Sequence, residues 1–278
     1  MFSIIIPTFN NFDYLKLCLN SIKKNSKYNH EIILHLNDGT DGSLNYAIEN
    51  NIKHSYSKKN IGLCSSINLA SNLSTNKYIL YSHDDMYFCP AWDKYLYDEV
   101  KRIGHDNFYL SGTMIEPNSG HIAFNCGEHV GNFNENKLLK NIDKLNFHDH
   151  QGSHFAPHLV SKKMWNEVGG FSEEFNPGIG SDPDFNMKLW KKGIRIFMGI
   201  NNFKVYHFGS VTTRKKKNLI QNRGDRTFLK KWGITTKFFK KYYLKSKTKY
   251  NGPLPNPKIT FRFIIDFIGC KIRSVLTI

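Results

Sequence analysis

Two hydrophobic rhythms alternate along the first ninety residues. Residues 2–6 form a short apolar run rich in isoleucine, which reads as a buried strand closed by Pro7. Leu15, Cys18, Leu19 and Ile22 then recur at i, i+3, i+4 and i+7, the stripe of an amphipathic helix ending in the lysines before Asn25. Strands over 31–36, 54–57 and 77–82 and helices over 42–51 and 61–73 continue the alternation. Strands and helices joined by short connections predict an α/β fold: a Rossmann-like, mostly parallel sheet flanked by helices, with right-handed crossovers. The second half is less regular, with strands over 107–112, 194–198 and 203–207 and helices over 161–168 and 182–192.

In an open parallel sheet, ligands bind beyond the carboxyl ends of the strands. Thr8 and Asn10 follow the first strand, Asp38 the second, and Asp84 and Asp85 the fourth. Polar groups at three separate strand ends make the first half a nucleotide-type binding unit. No G-x-G-x-x-G follows the first strand and no G-x-x-x-x-G-K-[ST] occurs, which argues against a dinucleotide dehydrogenase and a P-loop NTPase.

Composition changes this picture in two ways. At 278 residues, 40% hydrophobic and 14% aromatic, the chain can bury a full core, and its five scattered cysteines suit a reducing compartment rather than a disulfide framework. No signal-peptide pattern precedes the first strand, and no stretch of about 18 apolar residues occurs, so the expectation is a cytoplasmic protein without a spanning helix. The net charge of +16 is uneven: residues 214–278 hold 18 Lys+Arg against Asp225 and Asp266, leaving 21 of each sign in 1–213. This boundary divides a body, 1–213 (a nucleotide-binding half, about 1–105, and an acceptor half, 106–213), from a basic aromatic extension, 214–278. The extension reads as helical and amphipathic toward its end, suited to peripheral contact with an anionic membrane at the inner face. No nucleic-acid-binding motif accompanies the charge, so no nucleic-acid partner is expected.

Several side chains could carry chemistry. Asp84 and Asp85 repel each other unless a cation or a helix start neutralises them; they either bind Mg²⁺ or Mn²⁺ or cap a helix running from about Pro90. Asp182 and Asp184 open another helix, as caps or with one of them as a general base. His207 ends a strand, as a structural histidine or a third metal ligand. His150, His154 and His158 share an i, i+4, i+8 spacing, but Gly152 and Pro157 oppose a helix there. A loop lining an acceptor pocket or a plain surface loop is expected instead, not a zinc site.

Taken in order, these pieces resemble glycosyltransferase family 2, nucleotide-sugar-dependent enzymes of the GT-A fold. The resemblance covers about residues 2–213. It rests on Ile5-Ile-Pro-Thr-Phe-Asn10, Asn37-Asp38-Gly39, Asn60-Ile-Gly62 with Asn68, and His83-Asp84-Asp85-Met86 with Pro90-Ala-Trp92. Val168-Gly-Gly-Phe-Ser-Glu-Glu-Phe175, Ser181-Asp-Pro-Asp184 and His207 complete it. The resemblance implies that Pro7, Thr8, Phe9 and Asn10 contact the nucleoside, Asp38 holds the base with Asn60 nearby, and Asp84 faces the ribose or sugar. It further implies that Asp85, closing the D-x-D-type motif, binds a divalent cation (Mn²⁺ or Mg²⁺), that His207 is a further ligand, and that Asp182 is the catalytic base. The chain departs twice, with His83 at the first D-x-D position and Ser181 where a glutamate usually precedes the base. The implied activity is inverting sugar transfer from a nucleotide sugar, a UDP-sugar being favoured. The acceptor would be a glycan or lipid-linked hydroxyl in cell-surface polysaccharide or glycolipid synthesis. A sugar nucleotidyltransferase should open with a glycine-rich, arginine-containing loop, and here that loop is Pro7-Thr-Phe-Asn-Asn11. A non-catalytic nucleotide-sugar-binding protein on the same scaffold is the other alternative.

Overall fold

The structure, a computed structural model, describes residues 1–209 and 217–276. The first half follows the expected alternation: β1 (Ser3–Phe9), α1 (Phe12–Asn25), β2 (Glu31–Asn37), α2 (Ser43–Glu49), β3 (Lys53–Ser57), α3 (Leu63–Ser71) and β4 (Tyr78–Tyr81). Then come β5 (Met86–Phe88), α4 (Trp92–Ile103), β6 (Phe108–Glu116), β7 (Ile122–Ala123), α5 (Glu135–Asn141), β8 (His150–Gln151) and β9 (His158–Ser161). The chain continues through α6 (Lys162–Glu167), α7 (Ser181–Lys191) and β10 (Ile196–His207) to α8 (Lys217–Trp232), α9 (Thr236–Phe238) with a π turn over Phe239–Tyr243, and α10 (Phe261–Leu276).

The sheet order is β3-β2-β1-β4-β9-β6-β10-β5, with β7 on β6 and β8 on β10. Pairs within β3-β2-β1-β4 and between β6 and β10 are parallel; β9 runs antiparallel between β4 and β6. The first strand does not stop at Pro7 but runs to Phe9, with Pro7 in register with His35. Ile5 faces β4, since its carbonyl accepts Ser82 N–H, and residues of the same parity share that side. Pairing with β4 has ended by Pro7, so its missing donor falls where none is needed.

The two closing strands expected over 194–198 and 203–207 are one strand, β10, with a bulge between Ile200 and Lys204. Side chains hold the bulge: Asn201 N–H donates to Asp149 Oδ1 (2.8 Å) and Asn201 Oδ1 accepts Phe147 N–H (2.9 Å). The bulge keeps β10 on β6 as far as Tyr206, opposite Ile115.

The main core is built from the strand side chains Ile4–Ile6, Ile33, Leu34, Ile79 and Leu80 and the α1 stripe Leu15, Cys18, Leu19 and Ile22. Phe228, Phe238, Phe239, Leu244 and Leu254 of the basic extension are buried in that same core. The aromatics interleaved with the tail's charge therefore serve packing against the body. The proposed junction at residue 213 lies outside the described residues. All five cysteines are buried and free. Among the described residues no helix is long and apolar enough to cross a membrane.

Candidate active site

At the ends of β1 and β2, Asn10 and Asp38 both adopt left-handed backbone angles (φ 46° and 65°), which short polar side chains tolerate. Asn10 Nδ2 donates to Asp38 Oδ2 at 3.0 Å, so the two expected nucleoside residues meet. Asn37 is buried beneath them, donating to the Thr8 carbonyl (3.2 Å) and Ser66 Oγ (2.9 Å) and accepting Ile61 N–H (3.0 Å). Asn60 Oδ1 accepts Gly62 N–H (2.9 Å), turning the chain into α3. Gly62, at φ 87°, must be glycine because a Cβ would lie 2.4 Å from Asn176 Oδ1. Thr8 and Pro7 are buried, while Asn10 and Asn60 are exposed.

Neither Asp84 nor Asp85 caps a helix: β5 intervenes, and α4 starts at Trp92 with Ala91 at its cap. β5 pairs antiparallel with the end of β10, setting His207 opposite Met86, and Phe208 N–H donates to the Asp85 carbonyl at 3.2 Å. His207 Nε2 thereby comes to 3.4 Å from Asp85 Oδ1. On its other side the β6 register brings Glu116 to His207, Nδ1 to Oε1 at 2.6 Å. His83 Nδ1 lies 3.8 Å from Asp85 Oδ1. One donor atom each from His83, Asp85 and His207 falls within 4.8 Å of the others, the spacing of a metal-ligand set. Among the described residues no other group of three histidine, cysteine or acidic side chains meets it.

Electrostatics agree with the geometry. Burial alone would lower the His207 pKa, but the carboxylates of Asp85 and Glu116 raise it to about 10. Burial holds His83 down at about 4 despite Asp85. Burial and then the Asp85 charge push Asp84 up to about 7, while Asn11 Nδ2 donates to it at 3.1 Å. The residues fit a divalent cation, since a buried imidazolium now supplies the positive charge that Asp85 requires. Glu116 holds Nδ1–H and leaves Nε2 facing Asp85. The sequence pointed to Asp85 and His207. It treated His83 only as a departure from the motif and missed Glu116, for which no local signal exists.

Asp182 sits in the first turn of α7, which follows Gly180 at φ 91°. Its Oδ1 is buried with no hydrogen-bond partner, and burial alone pushes its pKa up to about 7. Asp184, two residues on, is fully buried and fully engaged: it accepts from Ser172 Oγ (2.6 Å) and Trp232 Nε1 (2.7 Å) and pairs with Lys231 (3.0 Å). Tyr81 feels the charges of both acidic corners. Its buried phenol is raised by burial, then by the Asp182, Cys64 and Asp85 charges, and its ring packs edge-on against His83 at 5.5 Å.

The histidines after residue 148 form neither a helix face nor a surface loop. His150 lies on β8 and His158 on β9, and His150, His154 and His158 are buried. Burial lowers them to about 4, 3 and 3 respectively, so they are neutral packing groups, with His158 Nδ1 2.9 Å from the Tyr109 hydroxyl. An open cleft of about 570 Å³, lined in part by Arg102, His105, Asp149 and Tyr250, lies toward the amino-terminal ends of β6 and β10 and includes no candidate residue.

Comparison with known proteins gives a family and a fold. The family described as Glycosyl transferase family 2 matches residues 3–159. No curated protein sequence matches the chain. Among solved structures, S. aureus TarS residues 1–349 in complex with UDP is similar at TM-score 0.57 and 16% identity, covering 99% of this chain and 80% of that one. Full-length TarS is similar at TM-score 0.57 and 15% identity, and this chain covers 49% of it. GalNAc-T7 with UDP, GalNAc and Mn²⁺ is similar at TM-score 0.59 and 11% identity, over 84% of this chain and 48% of that one.

Proposed function

The chain belongs to glycosyltransferase family 2 and has a GT-A type fold, and from that membership we propose an inverting transfer of sugar from a nucleotide diphosphate sugar to an acceptor hydroxyl. The observation that carries this reading is the pair of acidic corners whose charges both reach Tyr81, one built as a ligand set and one holding a carboxylate with an unpartnered buried oxygen.

In this reading Pro7, Thr8, Phe9 and Asn10 contact the nucleoside, Asp38 orients the base with Asn60 nearby, and Asp84 faces the ribose or sugar. A UDP-sugar is favoured because UDP is named in two of the similar structures. His83, Asp85 and His207 would hold a divalent cation, which when bound supplies positive charge to the departing diphosphate. Two imidazoles beside one carboxylate favour Mn²⁺ over Mg²⁺, the cation that keeps to oxygen ligands.

Asp182 takes the acceptor's proton as the acceptor oxygen attacks the anomeric carbon. The bond from that carbon to the phosphate oxygen breaks on the opposite face, its electrons going to the diphosphate, so the anomeric configuration inverts. A base near pKa 7 matches neutral operation. The acceptor is a glycan or lipid-linked hydroxyl of cell-surface polysaccharide or glycolipid synthesis, and the basic extension touches an anionic membrane at the inner face.

The test is a thermal-shift panel of UDP, GDP, dTDP and CDP sugars with and without Mn²⁺, followed by product analysis by NMR. A Mn²⁺-dependent shift with one nucleotide and an inverted anomeric centre is expected. Retention of configuration, or transfer unaffected by both Asp85→Ala and Asp182→Asn, overturns the reading. Nucleotide binding without turnover on any acceptor would favour the non-catalytic alternative.

A further inference from the structure

The apolar residues of the basic extension fall into two sets. One set packs inward: Phe263 and Phe267 on α10 lie 5.0 and 5.9 Å from the Phe238 ring, and Cys270 is buried beside Thr235. Asp266 on the same side accepts from Lys241 Nζ (2.7 Å) and the Tyr242 hydroxyl (2.6 Å), so the helix is held in one orientation. The other set points outward. Phe261, Ile264, Ile265, Ile268, Ile272 and Val275 are 80, 45, 52, 51, 56 and 70% exposed. Their spacing of three, four and seven puts them on one face of the 16-residue helix, a stripe about 20 Å long. On the helical wheel, Lys271 borders one edge of the stripe and Arg262 and Arg273 border the other.

We propose that α10 is an interfacial insertion helix that seats the enzyme on an anionic lipid bilayer, its outward stripe in the acyl boundary and its flanking basic residues at the headgroups. A contiguous apolar face of this kind on a soluble surface marks an interaction site. Charge chooses the occupant. The region from residue 214 carries 18 Lys+Arg and two acids, so two copies meeting through α10 would oppose like charge, whereas an anionic leaflet neutralises it. Basic side chains flanking an apolar stripe can keep their heads in the polar layer while their stems follow the helix down. The inference shares its partner with the membrane contact proposed above but not the transferase chemistry.

Co-sedimentation of the full chain with vesicles of phosphatidylcholine alone, and of phosphatidylcholine mixed with phosphatidylglycerol, tests it. Binding roughly tenfold or more stronger to the anionic vesicles is expected, falling by a similar factor in Ile268→Glu/Ile272→Glu. Ile48→Glu, a change at an isolated exposed isoleucine on α2, should leave binding unchanged. The thermal shift with UDP serves as a control for folding of each variant. Equal binding to both vesicles overturns the proposal. So does undiminished binding of the double variant, or a concentration-dependent dimer that only the double variant breaks. Loss of the UDP shift in the parent chain would count against the transferase reading and leave the vesicle result intact.

Discussion

The two acidic corners whose charges reach Tyr81 solve the problem of a buried carboxylate oxygen in opposite ways. Asp85 is compensated. It has a charged imidazole 3.4 Å away, which it shares with Glu116 behind, and a neutral one at 3.8 Å. Asp182 is uncompensated, with an orphaned oxygen and a pKa raised by burial alone. Burying a charge is costly unless it is paired, and the two arrangements match the roles proposed for them, a cation at the first corner and a proton at the second. Asp184 sharpens the contrast from two residues away: tied by Ser172, Lys231 and Trp232, it has no freedom to act on a substrate and instead fastens α8 to the body.

The largest effect should come from breaking the compensated corner. Asp85→Ala is expected to reduce transfer about a thousandfold or more and to abolish the Mn²⁺-dependent part of the UDP thermal shift. Next, Asp182→Asn should lower kcat by roughly 10²–10⁴ while leaving that UDP shift intact, because the base is needed only when the acceptor reacts. Equal loss of nucleotide binding in both variants would erase the distinction between the corners.

Glu116→Gln should weaken Mn²⁺ affinity by roughly 10–100-fold, read by titration of Mn²⁺ against the thermal shift, with the ligands themselves untouched. Unchanged affinity would make Glu116 a bystander. Asp184→Asn should cost about 2 kcal/mol of stability in denaturant unfolding, since the single amide oxygen cannot serve Ser172, Trp232 and Lys231 together and the new NH2 faces donors at a fully buried position. It should act through folding rather than through the pH dependence of turnover.

The smallest effect is the most diagnostic. Because the Asp182 pKa is higher in the folded protein than the ordinary 3.8, its contribution to stability is fully present below about pH 4. It is lost as pH rises through about 7. Asp182→Asn should therefore leave Tm unchanged near pH 4 and raise it by a few degrees at pH 8, while kcat/KM of the parent chain climbs with pH through about 7. A Tm difference independent of pH would remove the case for an unpartnered, desolvated carboxylate.

The sequence by itself determined much of this protein. Short apolar runs and a 3.6-residue stripe located β1 through β4 and their helices, because buried parallel strands read as continuous apolar runs and helices bury one face. Motif residues at strand ends marked Asn10, Asp38, Asp85 and His207, because an open parallel sheet delivers its strand ends to one mouth, and the resemblance marked Asp182 at a helix start. Tertiary structure decided the rest, which depends on register between segments far apart in the chain. The insertion of β9 between β4 and β6, the single bulged β10 and its pairing with β5 bring His83, Asp85, Glu116 and His207 together from three places in the sequence. Packing likewise sorted the basic tail, burying Phe228, Phe238 and Phe239 and leaving the α10 isoleucines outside. Composition counts apolar residues but cannot say which of them a neighbouring surface will cover, since that depends on the shape of the body they meet.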